Sequence, residues 1–267
     1  MNKVGFLGLG IDLFKLNPVA FTIAGKDIYW YGIIIAVGFL LAITVCVHLA
    51  RRTEIKADNL YDIVLFATPV AIVCARLYYV IFNFADYKNN LSDIFKIWEG
   101  GIAIYGAVIG AVSTAYVYCK IKKISVKKTF DIACIGLAIG QCIGRWGNFM
   151  NVEAYGSETT LPWRMAILKS GMTNVIEVHP TFLYESLWNL CLVGVLIFLL
   201  KHKKFDGQVF ATYIFGYGVG RAIIEGLRTD SLYLGTFRVS QVLAIISSIA
   251  ALIYITVNFI KTNKSNI

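Results

Sequence analysis

Charge is scarce in this 267-residue chain: 15% of its residues are Asp, Glu, Lys or Arg, where a soluble domain carries about 25%. Histidine occurs three times and proline four times. The six cysteines, Cys46, Cys74, Cys119, Cys134, Cys142 and Cys191, form no CxxC pair. That excludes a thiolate metal site, a redox motif and a disulfide framework, and leaves small packing residues within apolar runs. There is no GxSxG elbow and no paired Cys/His, the sequence signals of an activated nucleophile. Neither a metal nor a cofactor is expected. Acids are outnumbered, 16 against 25 basic residues, for a formal charge of +9. A basic balance can mean nucleic acid, but no RNA-binding motif is present and the basic residues do not interleave with aromatics. The lysines cluster in short loops between apolar runs, as membrane orientation signals do. At the N-terminus a short apolar stretch after Lys3 is broken by Asp12 and Lys15, with no small-residue cleavage site, so no cleaved signal peptide is read.

Apolar residues fill the space that charge leaves. They make up 58% of the chain, and the mean hydropathy is +0.68. Stretches near 20 residues recur along its length, the span a bilayer crossing needs. The reading is one multi-pass membrane domain over 1–267: an all-α integral membrane protein, a seven-transmembrane-helix bundle with a small extracytoplasmic head. The expected spans are 28–50, 60–82, 101–119, 130–147, 181–200, 209–227 and 239–260. One set of loops holds Arg51, Arg52 and Lys56, then Lys120 to Lys128, then Lys201 to Lys204, then Lys261 and Lys264. The opposite set holds more acid, including Asp86, Asp93, Glu153, Glu158 and Glu177. By the positive-inside rule the first set is cytoplasmic, which puts the N-terminus outside and the C-terminus inside. The outer segment 148–180 is long and polar, and irregular stretches of that length are often functional. A short hairpin around Gly25 fits residues 21–28. Glycines four apart (Gly106 and Gly110; Gly136, Gly140 and Gly144; Gly216 and Gly220) suit close helix packing in lipid, and Pro69 should kink the second span.

Three arginines, Arg76, Arg145 and Arg221, lie inside these runs. A guanidinium at mid-bilayer costs roughly 2.5–3.5 kcal/mol even on the lenient insertion scale, so each needs a partner or a wet cavity. Tyr217, Arg221, Glu225 and Arg228 follow one another by four, four and three residues, which is one helical face. Two arginines around one glutamate leave a positive surplus that suits an anionic group; the alternative is a purely structural ion pair. The run GRWGNFMNVEAYG (144–156) offers the Arg145 fork, the amides of Asn148 and Asn151 and the acceptor Glu153, with glycines that admit close backbone approach. Its alternative is a helix end capped by asparagines. HPTFLYES (179–186) puts His179 at a helix start, as a base, a donor or a cap. Glu185 lies one turn into the membrane, where Arg76, Arg145, Arg221 or Arg228 would be its partner.

These blocks resemble the prolipoprotein diacylglyceryl transferase family. GRWGNFMNVEAYG is similar to its signature, with Arg145, Asn148, Asn151, Glu153 and Gly156 at matching positions. HPTFLYES, YGVGRAIIEGLRTDS (217–231), WEGGIAIYGAVIGA (98–111) and IYWYGIIIAVGF (28–39), which includes Tyr31, resemble further family blocks in the same order. The resemblance implies a seven-helix enzyme of the bacterial cytoplasmic membrane. Its partners would be phosphatidylglycerol, prolipoprotein signal peptides with their lipobox cysteine, and membrane lipids. The family's essential arginines map onto Arg145 and Arg221. Two departures stand out: Tyr105 occupies a position where many members have a histidine proposed as general base, and Phe182 stands where some have glutamine.

In that chemistry a substrate thiolate attacks the glycerol carbon bearing the phosphate ester. The enzyme must then place positive charge on the leaving phosphate and assist loss of a thiol proton of pKa about 8.5. Arg145 and Arg221 are assigned to the phosphate, with Tyr105 as a further catalytic candidate. Asn148, Asn151, Glu153 and Gly156 would bind the lipid headgroup. Tyr217 and Glu225 would position Arg221, Arg228 would join the lipid-binding set, and Tyr31 and Tyr105 would line the cavity. His179, Tyr184, Glu185 and Arg76 are supporting candidates. An anion transporter is the competing class, since buried arginines also line pathways, but no inverted repeat of apolar segments is evident.

Overall fold

A computed structural model describes residues 1–265, which divide into two compact units: Met1–Cys46 with the stretch from Phe130 onward, and Val47–Thr129. Eight α-helices and eight short strands are described: β1 (Asn2–Phe6), β2 (Ile11–Leu16), β3 (Val19–Ile23), β4 (Lys26–Tyr29), α1 (Trp30–Ala50), α2 (Ala57–Phe82), α3 (Phe84–Tyr87), α4 (Ile104–Ile121), α5 (Val126–Asn151), β5 (Met165–Leu168), β6 (Ile176–Val178), α6 (Thr181–His202), α7 (Gln208–Glu225), β7 (Tyr233–Leu234), β8 (Phe237–Arg238) and α8 (Val239–Ser265). Five helices, α1, α2, α4, α6 and α8, are long and apolar enough to cross a membrane. α5 and α7 are long but not among these five: Lys127, Lys128, Asp131 and Arg145 interrupt one, and Arg221 and Glu225 the other.

The chain is mostly helical, yet the all-α reading is corrected in the first unit. An antiparallel sheet of order β2-β1-β5-β6 joins the N-terminal segment to the 148–180 segment, pairing Lys3 with Leu168 and Met165 with Val178. The long 148–180 segment is therefore partly strand rather than irregular. One sheet face is apolar: Val4, Leu16, Met165, Ile167 and Val178 pack with Val152 and Phe182 into a buried cluster. Phe182 also stacks near Phe149 and Trp146, with ring centroids 4.7 and 5.5 Å away. Phe182, one of the two departures noted in the sequence, is thus a core aromatic. The cluster ties the sheet to the end of α5 and the start of α6, where the polar residues gather. β3 and β4 form the hairpin expected around Gly25, whose φ of +76° suits the turn.

Small residues decide how the helices of this unit meet. A Cβ on Gly136 would stand 2.7 Å from Cys46 Sγ, and one on Gly147 would stand 2.7 Å from the Tyr31 ring, so α1 lies close against α5. A side chain at Gly220 would overlap the Trp188 indole, while Gly140 faces open space and needs no such explanation. Asp131, fully buried in α5, accepts from Gly207 N (2.9 Å) and Phe210 N (3.0 Å) at the start of α7, and from Lys203 Nζ (2.9 Å). It does the work of an N-cap from a neighbouring helix. Burial alone would depress the Lys203 ammonium, but its contacts to Asp206 and Asp131 prevail and hold its pKa above the usual value.

In the second unit α2 packs on α4. A Cβ on Gly106 would run into the Cys74 carbonyl. Arg76 is buried, and the partner that a guanidinium in such a run needs is backbone here. Its Nε donates to Ile94 O (2.8 Å), Nη1 to Gly100 O (2.7 Å) and Gly101 O (2.8 Å), and Nη2 to Asp93 O (2.6 Å) and Lys96 O (3.5 Å). All five guanidinium donors are met by backbone carbonyls. The φ values of +91° at Gly100 and +71° at Gly101 aim those carbonyls and delay α4 to Ile104, three residues later than the expected start. Tyr105 sits in the first turn of α4, 38% exposed, its ring 6.4 Å from that of Tyr78.

Candidate functional site

The polar residues of α5, α6 and α7 converge on Glu185. Its carboxylate is nearly buried and receives Arg145 Nη2 at 2.8 Å, Arg221 Nη1 at 3.2 Å and Arg228 Nη1 at 3.3 Å. Three helices supply the group: Arg145 lies near the end of α5, Glu185 in the first turns of α6, and Arg221 near the end of α7, with Arg228 just beyond. Arg221 Nη2 also lies 2.6 Å from Glu225 Oε2. The angle of that contact is outside hydrogen-bond geometry, so it is a charge contact across one helical turn. Arg228 forks onto Asp230 (Nε to Oδ1 2.9 Å, Nη2 to Oδ2 2.7 Å). This bidentate contact lowers the Asp230 pKa. It also outweighs burial to raise that of Arg228. Arg238 donates to the Glu225 carbonyl and to Tyr233 OH.

The spacing within α7 suggested one glutamate between two arginines. The folded network adds Glu185 from α6 and Asp230 from the following turn, so Arg145, Arg221 and Arg228 face three carboxylates and the expected surplus is gone. The reason is that a single helix face does not show which acids its neighbours bring. The arginines are nonetheless not sealed in: their side chains remain 20%, 17% and 10% exposed.

From Arg145 a second chain of contacts runs outward. Arg145 Nη1 donates to Asn148 Oδ1 (3.3 Å), and Glu153 Oε1 accepts from Asn148 Nδ2 (2.8 Å) and Asn151 Nδ2 (3.4 Å). Glu153 reaches back because α5 ends in residues of positive φ, Val152 at +52° and Ala154 at +55°. A β-branched residue in that conformation is strained, and burial of Val152 in the sheet cluster holds it there. Asn151 in turn borders an open groove of about 670 Å³ whose other walls include Tyr29, Tyr31, Gly32, Ile33 and Ala36. The Arg–Asn–Glu chain therefore ends on this groove, beside Tyr31.

The remaining expected residues fall outside this network. Tyr217 stacks on Tyr213 (centroids 5.8 Å apart). Gly156 lies between two strand-like neighbours, donating to His179 O and bridged to Arg228; a Cβ there would stand 2.7 Å from His179 Cβ. Packing against His179 by itself leaves no room for a side chain there. His179 does not cap α6, whose N-cap is Pro180. Its Nδ1 lies 3.2 Å from Tyr184 OH, which also accepts from Trp163 Nε1 (2.7 Å). Tyr105 and Arg76 belong to the second unit. Sequence reasoning ranked Glu185 only as a support and missed Asp230 and Arg238. Asp230, two residues after Arg228, was the one of these with a local signal.

The family model described as prolipoprotein diacylglyceryl transferase matches residues 18–257. A protein of Clostridioides difficile called phosphatidylglycerol–prolipoprotein diacylglyceryl transferase is 46% identical over 252 residues, covering 94% of this chain and 99% of its own. Proteins of the same name from Finegoldia magna (48% identical, 89% of this chain and 94% of its own) and Listeria innocua (45%, 93% and 92%) are similarly close. This chain belongs to the prolipoprotein diacylglyceryl transferase family.

Proposed function

We propose that this protein is a membrane transferase that moves the diacylglyceryl group of phosphatidylglycerol onto the lipobox cysteine of prolipoproteins, the first step of lipoprotein maturation. The observation that carries the reading is the convergence of Arg145, Arg221 and Arg228 on one carboxylate, linked through Asn148, Glu153 and Asn151 to an open groove. The family's substrates are an anionic glycerolipid and a signal peptide, and that arrangement offers a place for the first of them.

The nucleophile comes from the substrate. The cysteine thiolate attacks the glycerol carbon, the C–O bond to phosphate breaks, a thioether forms and glycerol phosphate leaves. Charge builds up on the departing phosphate, and guanidinium forks fixed in advance stabilise it there. Arg145 and Arg221 fill this role. Glu225 orients Arg221 from one turn away, and Asn148, Asn151 and Glu153 orient the headgroup. Tyr31, at the groove wall, lies along the lipid. Loss of the thiol proton falls to Tyr105, to a glutamate, or to the positive potential of the arginines acting on the thiol. All seven long helices cross the bilayer, α5 and α7 being tolerated because their charges are paired. The sheet then forms a head on the outer side, with the N-terminus outside and the C-terminus in the cytoplasm.

The test is transfer in vitro from phosphatidylglycerol to a lipobox peptide. Loss of turnover in folded Arg145→Ala and Arg221→Ala supports the assignment. Normal turnover in either removes that arginine from the chemistry.

A further inference from the structure

Among the described residues, Glu185 is the acid in ion-pair contact with all three arginines. Glu225 makes its ion pair with Arg221 and Asp230 with Arg228, whereas the Glu185 carboxylate takes a donor from each of Arg145, Arg221 and Arg228. Two oxygens with about four lone-pair directions, held by three guanidinium donors, reproduce what the two non-bridging oxygens of a phosphodiester would require. The ion pairs set three guanidiniums against three carboxylates, and Arg238 on the Glu225 carbonyl and Glu153, joined to Arg145 through Asn148, add one charge of each sign, so the network is balanced. Adding a phosphodiester gives one excess negative charge in a largely desolvated place, and the monoester product adds more. An incoming phosphate therefore has to displace a carboxylate from the arginines, and displacing Glu185 releases a donor from all three at once.

We infer that Glu185 is an exchangeable counter-anion: its carboxylate holds Arg145, Arg221 and Arg228 by the contacts that the phosphate of the glycerolipid uses, and the two compete. Glu185 is then a positioning residue, acting through the arginines. It keeps three half-buried positive charges aimed at one point and sets how tightly a phosphate is held, so that the product can leave. The neighbouring residue anchors the helix: Ser186 Oγ accepts from Trp146 Nε1 (3.1 Å) and donates to Cys142 O (2.9 Å), which ties α6 to α5 beside the carboxylate. The inference rests on the phosphate-binding assignment of Arg145 and Arg221.

The experiment measures glycerol phosphate affinity of the full chain in detergent, by titration calorimetry and by the rise in unfolding temperature the ligand produces. Wild type, Glu185→Gln and Arg145→Ala are compared. Glu185→Gln keeps the shape of the side chain and removes its charge. Its Kd is expected to fall by about tenfold, the scale of one charge-assisted hydrogen bond no longer competed for, with a larger ligand-induced temperature rise. A merely structural Glu185 would leave the affinity unchanged or weaken it. That result, with Arg145→Ala still weakening binding, overturns the exchange and leaves the arginine assignment standing. If Arg145→Ala binds as well as wild type, the assignment itself fails and the exchange with it. Should Glu185→Gln not fold, Glu185→Asp, which withdraws the carboxylate by one methylene, is measured instead: tighter binding supports exchange and unchanged or weaker binding refutes it.

Discussion

Removing Arg221 should injure this protein twice, and the two injuries can be separated. Glu225 is 1% exposed, and its side chain has Arg221 as its close cation at 2.6 Å. Arg221→Ala leaves that carboxylate buried and unpaired, a change that typically costs 3–5 kcal/mol, roughly the scale of a whole domain's margin. Glu185 suffers less, because Arg145 and Arg228 remain on it. Losing a charge-assisted contact to the leaving phosphate should cost a further 1.5–3 kcal/mol in the transition state, or about 10- to 150-fold in kcat/KM. The double variant Arg221→Ala/Glu225→Ala removes the orphaned carboxylate along with its partner. Thermal unfolding in detergent should show most of the lost stability restored in the double variant. Transfer of diacylglycerol to a lipobox peptide should remain as impaired as in the single variant. If the double variant recovers turnover together with stability, Arg221 acts only as a structural partner and the chemical role assigned to it is wrong.

Other consequences are as direct. Tyr105→Phe, compared with Tyr105→His and wild type, should lower kcat, with histidine retaining activity; equal rates in all three would take the hydroxyl out of the reaction. The Lys203 pKa is raised, so its contacts to Asp131 and Asp206 stabilise the fold fully at neutral pH and are lost as pH climbs past about 10.5, the unperturbed value. The Asp230 pKa is lowered, so its contribution is present at neutral pH and is lost as pH falls below the ordinary carboxylate value of 3.8. Unfolding temperatures measured against pH should fall at both ends, and Lys203→Met and Asp230→Asn should flatten the alkaline and acid limbs respectively. Gly106→Val should destabilise α2–α4 packing by 1–3 kcal/mol, read by thermal unfolding, because the added side chain would meet the Cys74 carbonyl and backbone cannot move as a side chain can.

Much of the helical frame was legible in the chain because long apolar runs announce themselves without any partner. The five most apolar helices needed nothing further. α5 and α7 were legible only through their motifs, since the charges that make them interesting also dilute their hydropathy. The sheet was not legible. Its strands are three to six residues long, and β1 finds β5 across about 160 positions of sequence, a pairing that no local period reveals. The site divides the same way. The stripe Arg221, Glu225, Arg228 could be read from helical spacing, and the run from Arg145 to Glu153 from its composition. The centrality of Glu185 depends on α6 standing between α5 and α7, which spacing along one helix does not encode. Arg76 shows the converse: an intramembrane arginine suggests an anion, yet two positive-φ glycines turn enough carbonyls towards it to serve in place of a carboxylate.

The most direct measurement is a structure of the protein with phosphatidylglycerol bound in a lipid environment. The account predicts the lipid phosphorus at the meeting point of Arg145 and Arg221, with phosphate oxygens at about 2.7–2.9 Å from their guanidinium nitrogens and the acyl chains leaving along the groove beside Tyr31 and Asn151. A headgroup held elsewhere, with Arg145 and Arg221 still closed on Glu185 and Glu225, would contradict it.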